Sequence, residues 1–145
     1  AVNAFLAENQ FADTSVQHTL SPSASKDAGL GGRNTTSVKD CGELLSRIYK
    51  GECVSKEASD AMLNLLLNQQ VTTKIPSGIS ASVEIANKTG ETDTDQHDIA
   101  IVYGEKTTYI LCVMSENCKS GDAVSHIRDI SGIVYNYLNM QLDQD

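Results

Sequence analysis

No apolar stretch of this chain approaches the roughly 18 to 20 residues that cross a bilayer, so no membrane-spanning helix is expected. Runs of basic residues are also missing, and 11 Lys and Arg stand against 19 Asp and Glu for a net charge of -8. That balance argues against nucleic acid and against anionic lipid surfaces, which are bound through clustered cations. None of the spacings among Cys41, Cys53, Cys112 and Cys118 is C-x-x-C, which speaks against a zinc cluster or a thioredoxin-like motif. The start is not a signal peptide, because no basic segment precedes an apolar one. Ala1 instead lies inside a helical pattern that puts Val2, Phe5 and Leu6 on one face, with no capping residue before them. A helix without a beginning suggests a chain cut from something longer.

What is present is ordinary globular material: 145 residues, 40% hydrophobic and 21% charged, enough for one domain with a real core. We read 1–145 as a single truncated domain. Residues 1–70 form a helical part with a long loop over 12–36, and 71–145 carry strands and a closing helix. The four cysteines fall into two local pairs. Bridges Cys41 to Cys53 and Cys112 to Cys118 would suit an exported protein. Equally, Cys41 on a helix face and Cys112 inside a strand serve as small buried hydrophobes.

The opening helix ends near Asn9. The loop that follows is rich in Ser, Thr, Gly and Asp and has no periodicity, and loops of this length are usually functional or mobile. Thr36 or Ser37 caps the next helix, which lines up Val38, Cys41, Leu44, Leu45, Ile48 and Tyr49 and stops at Gly51. Ser55 caps another, with Ala58, Ala61, Met62, Leu65 and Leu66 expected inward. Residues 72–82, with Pro76 and Gly78, form an irregular approach to a strand. His97 to Tyr103 and Thr107 to Met114 make a hairpin around Gly104-Glu105-Lys106, apolar on both faces and therefore covered on both. A helix from near Asp122 aligns Val124, Ile127, Ile130, Val134, Tyr137 and Leu138 to cover the sheet.

The most informative stretch is Val83 to Glu91, VEIANKTGE. Val83, Ile85 and Asn87 alternate with Glu84, Ala86 and Lys88, which is the period of a strand. At its end Lys88, Thr89 and Gly90 can bind a carboxylate: the ammonium supplies charge, the hydroxyl a hydrogen bond, and the glycine close backbone approach. A solvated strand end before a turn would carry the same tripeptide, so its context matters. Two amphipathic helices precede it, two strands follow as a hairpin, and a long helix closes the chain. In that order the chain resembles the C-terminal part of the penicillin-recognising serine hydrolases, the class A β-lactamases and DD-peptidases, whose motifs are Ser-x-x-Lys, Ser-Asp-Asn and Lys-Thr-Gly. The first residues, AVNAFLAENQF, are similar to the family helix that follows Ser-Asp-Asn.

The resemblance implies an α+β fold: a partial β-lactamase/transpeptidase-like architecture, with a three-stranded antiparallel sheet covered by a C-terminal helix and preceded by helices of the all-α part. It implies acyl-serine chemistry on a β-lactam or a peptidoglycan peptide, outside the cytoplasm and without cofactor or metal. Lys88, Thr89, Gly90 and Glu91 would bind substrate, with the Glu91 backbone N–H as half of an oxyanion hole. The nucleophile is not in this chain. Ser23-Ala-Ser-Lys26 has the right letters, but the Gly-rich sequence after it cannot hold a rigid helix turn. Ser115-Glu116-Asn117 and Tyr137-Leu138-Asn139 mimic the second motif on the wrong side of Lys-Thr-Gly.

The family's omega-shaped loop carries a glutamate that activates the deacylating water. From Asn9 to Gly42 this chain has none, and Asp13 and Asp27 are the only loop carboxylates. No arginine follows Lys88 until Arg128, so His97 is the only nearby group that could add positive charge. The third strand would pair, in the family's five-stranded sheet, with one from the missing front half, so an open edge and self-association are expected. A different class also fits the residues: a noncatalytic α+β binding module in which Lys-Thr-Gly merely ends a strand.

Overall fold

A computed structural model describes residues 1–18 and 33–139. Ser23, Lys26 and Asp27 lie outside them. The order of elements is α1 (Val2–Glu8), α2 (Val38–Lys50), α3 (Lys56–Leu67), a short 3-10 helix (Ile75–Gly78), β1 (Ile85–Glu91), β2 (Gln96–Tyr103), β3 (Thr108–Met114) and α4 (Ser120–Asn139). The chain divides into two units, Ala1–Cys41 and Gly42–Asp145, the boundary falling inside α2.

In the first unit α1 has Ala1 at its N-cap, which gives it no side-chain cap. The two ends of the long loop meet in an antiparallel bridge between Ser15 and Thr35. Ser37 caps α2 by accepting from the Asp40 N–H at 3.1 Å, and its hydroxyl donates to the Asp13 carboxylate at 2.9 Å. Asp40 in turn accepts from the Asp13 N–H and the Thr14 hydroxyl. Asp13 is thus a strut of the loop.

In the second unit the three strands form one antiparallel sheet, in the order β1-β2-β3. Its register is Ile85↔Val102 to Glu91↔Gln96 in the first pair, and His97↔Met114 to Tyr103↔Thr108 in the second. Both faces are covered, as the run of apolar residues in β2 demands. On one face Ala86 and Ile101 pack with Leu45 of α2 and with Leu63, Leu66 and Leu67 of α3. On the other, Ala100 and Val102 pack with Ile75, Ile79, Ile127 and Tyr135.

Two helix faces differ from the sequence reading. In α3 Leu65 is 74% exposed and Ala61 is also exposed, while Leu63 and Leu67 turn inward beside Leu66. With four leucines in its last five residues the helix has apolar side chains all round, so spacing alone cannot choose the buried face. Ser59 settles it, because its hydroxyl is satisfied inside by the Cys53 and Ser55 backbone.

In α4 the buried positions are Ala123, Ile127, Ser131, Tyr135 and Asn139, whereas Ile130 and Tyr137 are exposed. Small residues face inward here because the 3-10 helix comes very close. A Cβ on Gly78 would sit 2.1 Å from the Arg128 carbonyl, and Ser131 donates to the Ile75 carbonyl at 2.8 Å. No disulfide joins Cys41, Cys53, Cys112 or Cys118.

Candidate functional site

The Lys-Thr-Gly tripeptide lies on β1, with Lys88 facing Ile99, Thr89 facing Asp98 and Gly90 facing His97 on β2. Strand alternation puts Lys88 and Gly90 on the face of Ala86 and Ile101, the one turned toward α3. Lys88 is exposed, at the rim of the sheet. Its ammonium donates to the neighbouring Thr89 carbonyl, and among the described residues it forms no ion pair with a carboxylate. His97 shares that face and is half-buried, its ring 3.6 Å from where a Cβ on Gly90 would be. Lys88, Gly90 and His97 thus share one face at this strand end, while Thr89, opposite Asp98, alternates to the other.

Beneath this rim lies a polar layer that sequence reading passed over. Lys74, 1% exposed, enters from the irregular segment before the 3-10 helix. Its ammonium donates to the Gly90 carbonyl at 3.2 Å and the His97 carbonyl at 3.1 Å, and stands 3.5 Å from the Glu91 carboxylate. Beside it Asp98 is fully buried, accepting from the Ile75 N–H at 2.9 Å and from the Asn87 amide at 3.0 Å. Asn87 accepts in turn from the Gln69 amide. Burial pushes the Asp98 carboxyl up from its ordinary range, opposed by the Asn87 and Ile75 hydrogen bonds and by the Lys74 charge.

A signal for this layer was in the sequence. Asn87 occupies an inward position of an otherwise apolar alternation, and Asp98 interrupts the start of an apolar strand. Polar groups at such positions need partners, since burying them unpaired costs about 1 to 3 kcal/mol each. Lys74 left no comparable trace, because its segment has no period to violate.

The backbone at Gly90 and Glu91 has a defined direction. One nitrogen reaches the carbonyls of both Gly90 and His97, so both point into the seam between β1 and β2. The Thr92 N–H also turns into that seam, donating to the Asp95 carbonyl at 3.0 Å. No peptide is cis, so the N–H that Glu91 shares with the Gly90 carbonyl points the opposite way, out of the free side of β1. A cation, a hydroxyl and an outward N–H on one strand end can hold a carboxylate and a carbonyl oxygen developing negative charge.

Two hollows flank the strand. One of about 430 Å³ is lined by Glu91, Thr92, Asp93, Gln96 and Ser120. The other, of about 210 Å³, has Leu67, Pro76, Val83 and Asn87 in its lining. Lys88 lines neither. No cluster of metal-ligating side chains occurs among the described residues.

Comparison with known proteins follows the same lines. A family model described as the beta-lactamase enzyme family matches residues 1–138. None of the curated proteins compared with the chain matches it. Among solved structures, PBP-A superposes with a TM-score of 0.79 at 24% identity, over 94% of this chain and 49% of that one. A mutant of PBP-A solved as an acyl-enzyme complex with penicillin G gives the same score and identity. A class A beta-lactamase representative from Bacteroides cellulosilyticus superposes with a TM-score of 0.81 at 20% identity, over 97% of this chain and 54% of that one. The chain thus spans about half the length of the solved structures it matches, 49% to 54% of them. At these identities the likeness establishes the fold.

Proposed function

The chain belongs to the beta-lactamase enzyme family, and from that premise we propose that it supplies the substrate-binding wall of a serine hydrolase acting on β-lactams or D-alanyl peptides. The observation that carries this reading is the exposed Lys88 ammonium, with no carboxylate paired to it among the described residues, beside Thr89 and Gly90 on an open strand end. Lys88 attracts the substrate carboxylate, and Thr89 donates a hydrogen bond to it. Gly90 lets the substrate backbone approach, and the Glu91 N–H steadies the oxygen of the acyl carbonyl as a serine attacks it. Acyl transfer of this kind uses no cofactor.

The attacking serine and its base come from sequence outside these 145 residues. In support, no Ser-x-x-Lys here opens an apolar helix, and the chain spans about half of its solved neighbours. The 145-residue chain by itself therefore turns over no β-lactam. The lack of any glutamate between Asn9 and Gly42 favours a slowly emptied acyl-enzyme, as in a peptidase, a sensor or a poor hydrolase. Substrates of this class are met outside the cytoplasm, and we place the working protein there.

The test is covalent labelling of the full-length gene product by a fluorescent penicillin, followed on a gel and by intact mass. A long-lived adduct is expected. Lys88→Ala is expected to slow its formation about 10- to 100-fold, the range for loss of a charge-assisted contact of about 1.5 to 3 kcal/mol. A well-folded wild type that takes no label overturns the reading and leaves a noncatalytic binding module.

A further inference from the structure

We propose that Lys74 is a positioning residue for acylation, its buried ammonium aiming and polarising the Gly90–Glu91 peptide whose N–H faces the reacting carbonyl. The inference deepens the reading above and rests on it. Lys74 reaches the peptide that carries the Glu91 N–H by donating to the Gly90 carbonyl oxygen, at 3.2 Å. That oxygen and the Glu91 N–H are the two ends of a single peptide group. A cation on the oxygen draws electron density along the C–N bond and leaves the N–H a stronger donor.

The same contact fixes direction. Lys74 holds the peptide plane at its carbonyl end, and the ammonium is itself anchored to the neighbouring strand by donating to the His97 carbonyl at 3.1 Å. Rotation of the plane, which would swing the N–H away from the substrate, breaks the first of these bonds. The Glu91 carboxylate lies 3.5 Å from the same ammonium. Glu91 is 68% exposed at its side chain, and this contact draws its negative charge inward, away from a substrate that is itself anionic. Its two hydrogen bonds and its ion pair all go to the end of β1 and its partner strand, and the side chain is 2% exposed. Lys74 acts through the backbone while Lys88, on the rim, acts on the substrate directly.

The two lysines are therefore separable in kinetics. In the full-length gene product Lys88→Ala raises the β-lactam concentration needed for half-maximal acylation. Lys74→Met leaves that concentration within about twofold and lowers the maximal acylation rate about 10-fold, less than the 100- to 1,000-fold for deleting an oxyanion-hole donor outright. Lys74→Arg, which keeps a buried cation, recovers part of the rate.

A readout that a purely structural role would not move is the infrared carbonyl stretch of the acyl-enzyme formed with carbon-13-labelled β-lactam. It shifts to higher frequency in Lys74→Met, because the N–H pulls less on the oxygen. A folded Lys74→Met that acylates at the wild-type rate with an unshifted carbonyl overturns the proposal while leaving the family reading intact. A wild type that never acylates overturns both. Where Lys74→Met does not fold, the wild type decides by nuclear magnetic resonance. Slowly exchanging Lys74 ammonium protons, coupled across the hydrogen bond to a labelled Gly90 carbonyl, sustain the proposal, and the absence of that coupling overturns it.

Discussion

Asp98 is fully buried, and loss of hydration raises its carboxyl above the ordinary 3.8 despite the Asn87 amide, the Ile75 N–H and the Lys74 ammonium. A raised carboxyl means the folded state holds its proton more tightly than the unfolded chain. Its contribution to stability is therefore complete below about 3.8, the unfolded value, and is lost as pH climbs through the folded value. Asp98→Asn removes this titration while keeping an acceptor for Ile75. Urea midpoints measured from acid to neutral pH should show the variant gaining on the wild type as pH rises. A variant that instead loses ground would mean that attraction to the Lys74 charge outweighs burial. Tyr109 provides the alkaline counterpart: burial first, and the neighbouring Tyr135 second, push its phenol up to about 12. Its share of stability holds below the ordinary 10.0 and fades as pH rises through about 12. Among the described residues its hydroxyl has no hydrogen-bond partner, so Tyr109→Phe should change the melting temperature little. In absorbance titration of the five tyrosines, Tyr109→Phe should delete an ionisation at about 12. Uniform ionisation near 10 in the folded protein would contradict the placement of that ring.

At the scale of elements, the hairpin between β2 and β3 is held from outside itself. Asn139, the last residue of α4, accepts from the Lys106 and Thr107 N–H groups, both at 2.9 Å. Gly104 is required beside it, since a Cβ there would lie 2.3 Å from the Asn139 oxygen. Asn139→Ala strands two donors in a partly buried loop and should cost about 1 to 3 kcal/mol, read as an earlier thermal midpoint with fast amide exchange at Lys106 and Thr107. An unchanged midpoint would show that water serves those donors equally well. Asn139 also marks where the sequence was legible and where it was not. As part of Tyr137-Leu138-Asn139 it only mimics a motif, and its actual work is tertiary and has no local pattern. Elements whose identity rests on period and caps were readable: α2 behind Ser37, α3 behind Ser55, and three strands in order. Which face α3 and α4 bury was not, because that choice depends on the close approach of Gly78 to α4 and on the hydrogen bonds of Ser59 and Ser131. Of the site, the rim was legible in Lys88-Thr89-Gly90, and the layer under it was not, because Lys74 reaches the strand across an irregular segment.

For the whole molecule the sheet has two unequal edges. Among the described residues β1 and β3 each pair on one side only. β1 carries Lys88 and Glu91, charges that resist addition of another strand, and it is the side on which substrate is proposed to lie. β3, Thr108–Met114, is TYILCVM, seven residues without a charge or a proline. A row of unpaired N–H and C=O groups on such a strand is a template for a second chain. Opposing this is the net charge of -8, which repels like copies over roughly 8 Å at physiological salt and over less as salt rises. Edge pairing is short-ranged and survives screening. The isolated 145-residue chain should therefore self-associate, and more so as salt is added. The full-length gene product, in which the family's architecture would give β3 a neighbour, should stay monomeric under the same conditions. Light scattering over a concentration series at low and high salt separates these cases. A 145-residue chain that remains monomeric at the highest concentration and salt would mean that the β3 edge is already covered. Association that weakens with salt would instead point to charged surfaces as the cause.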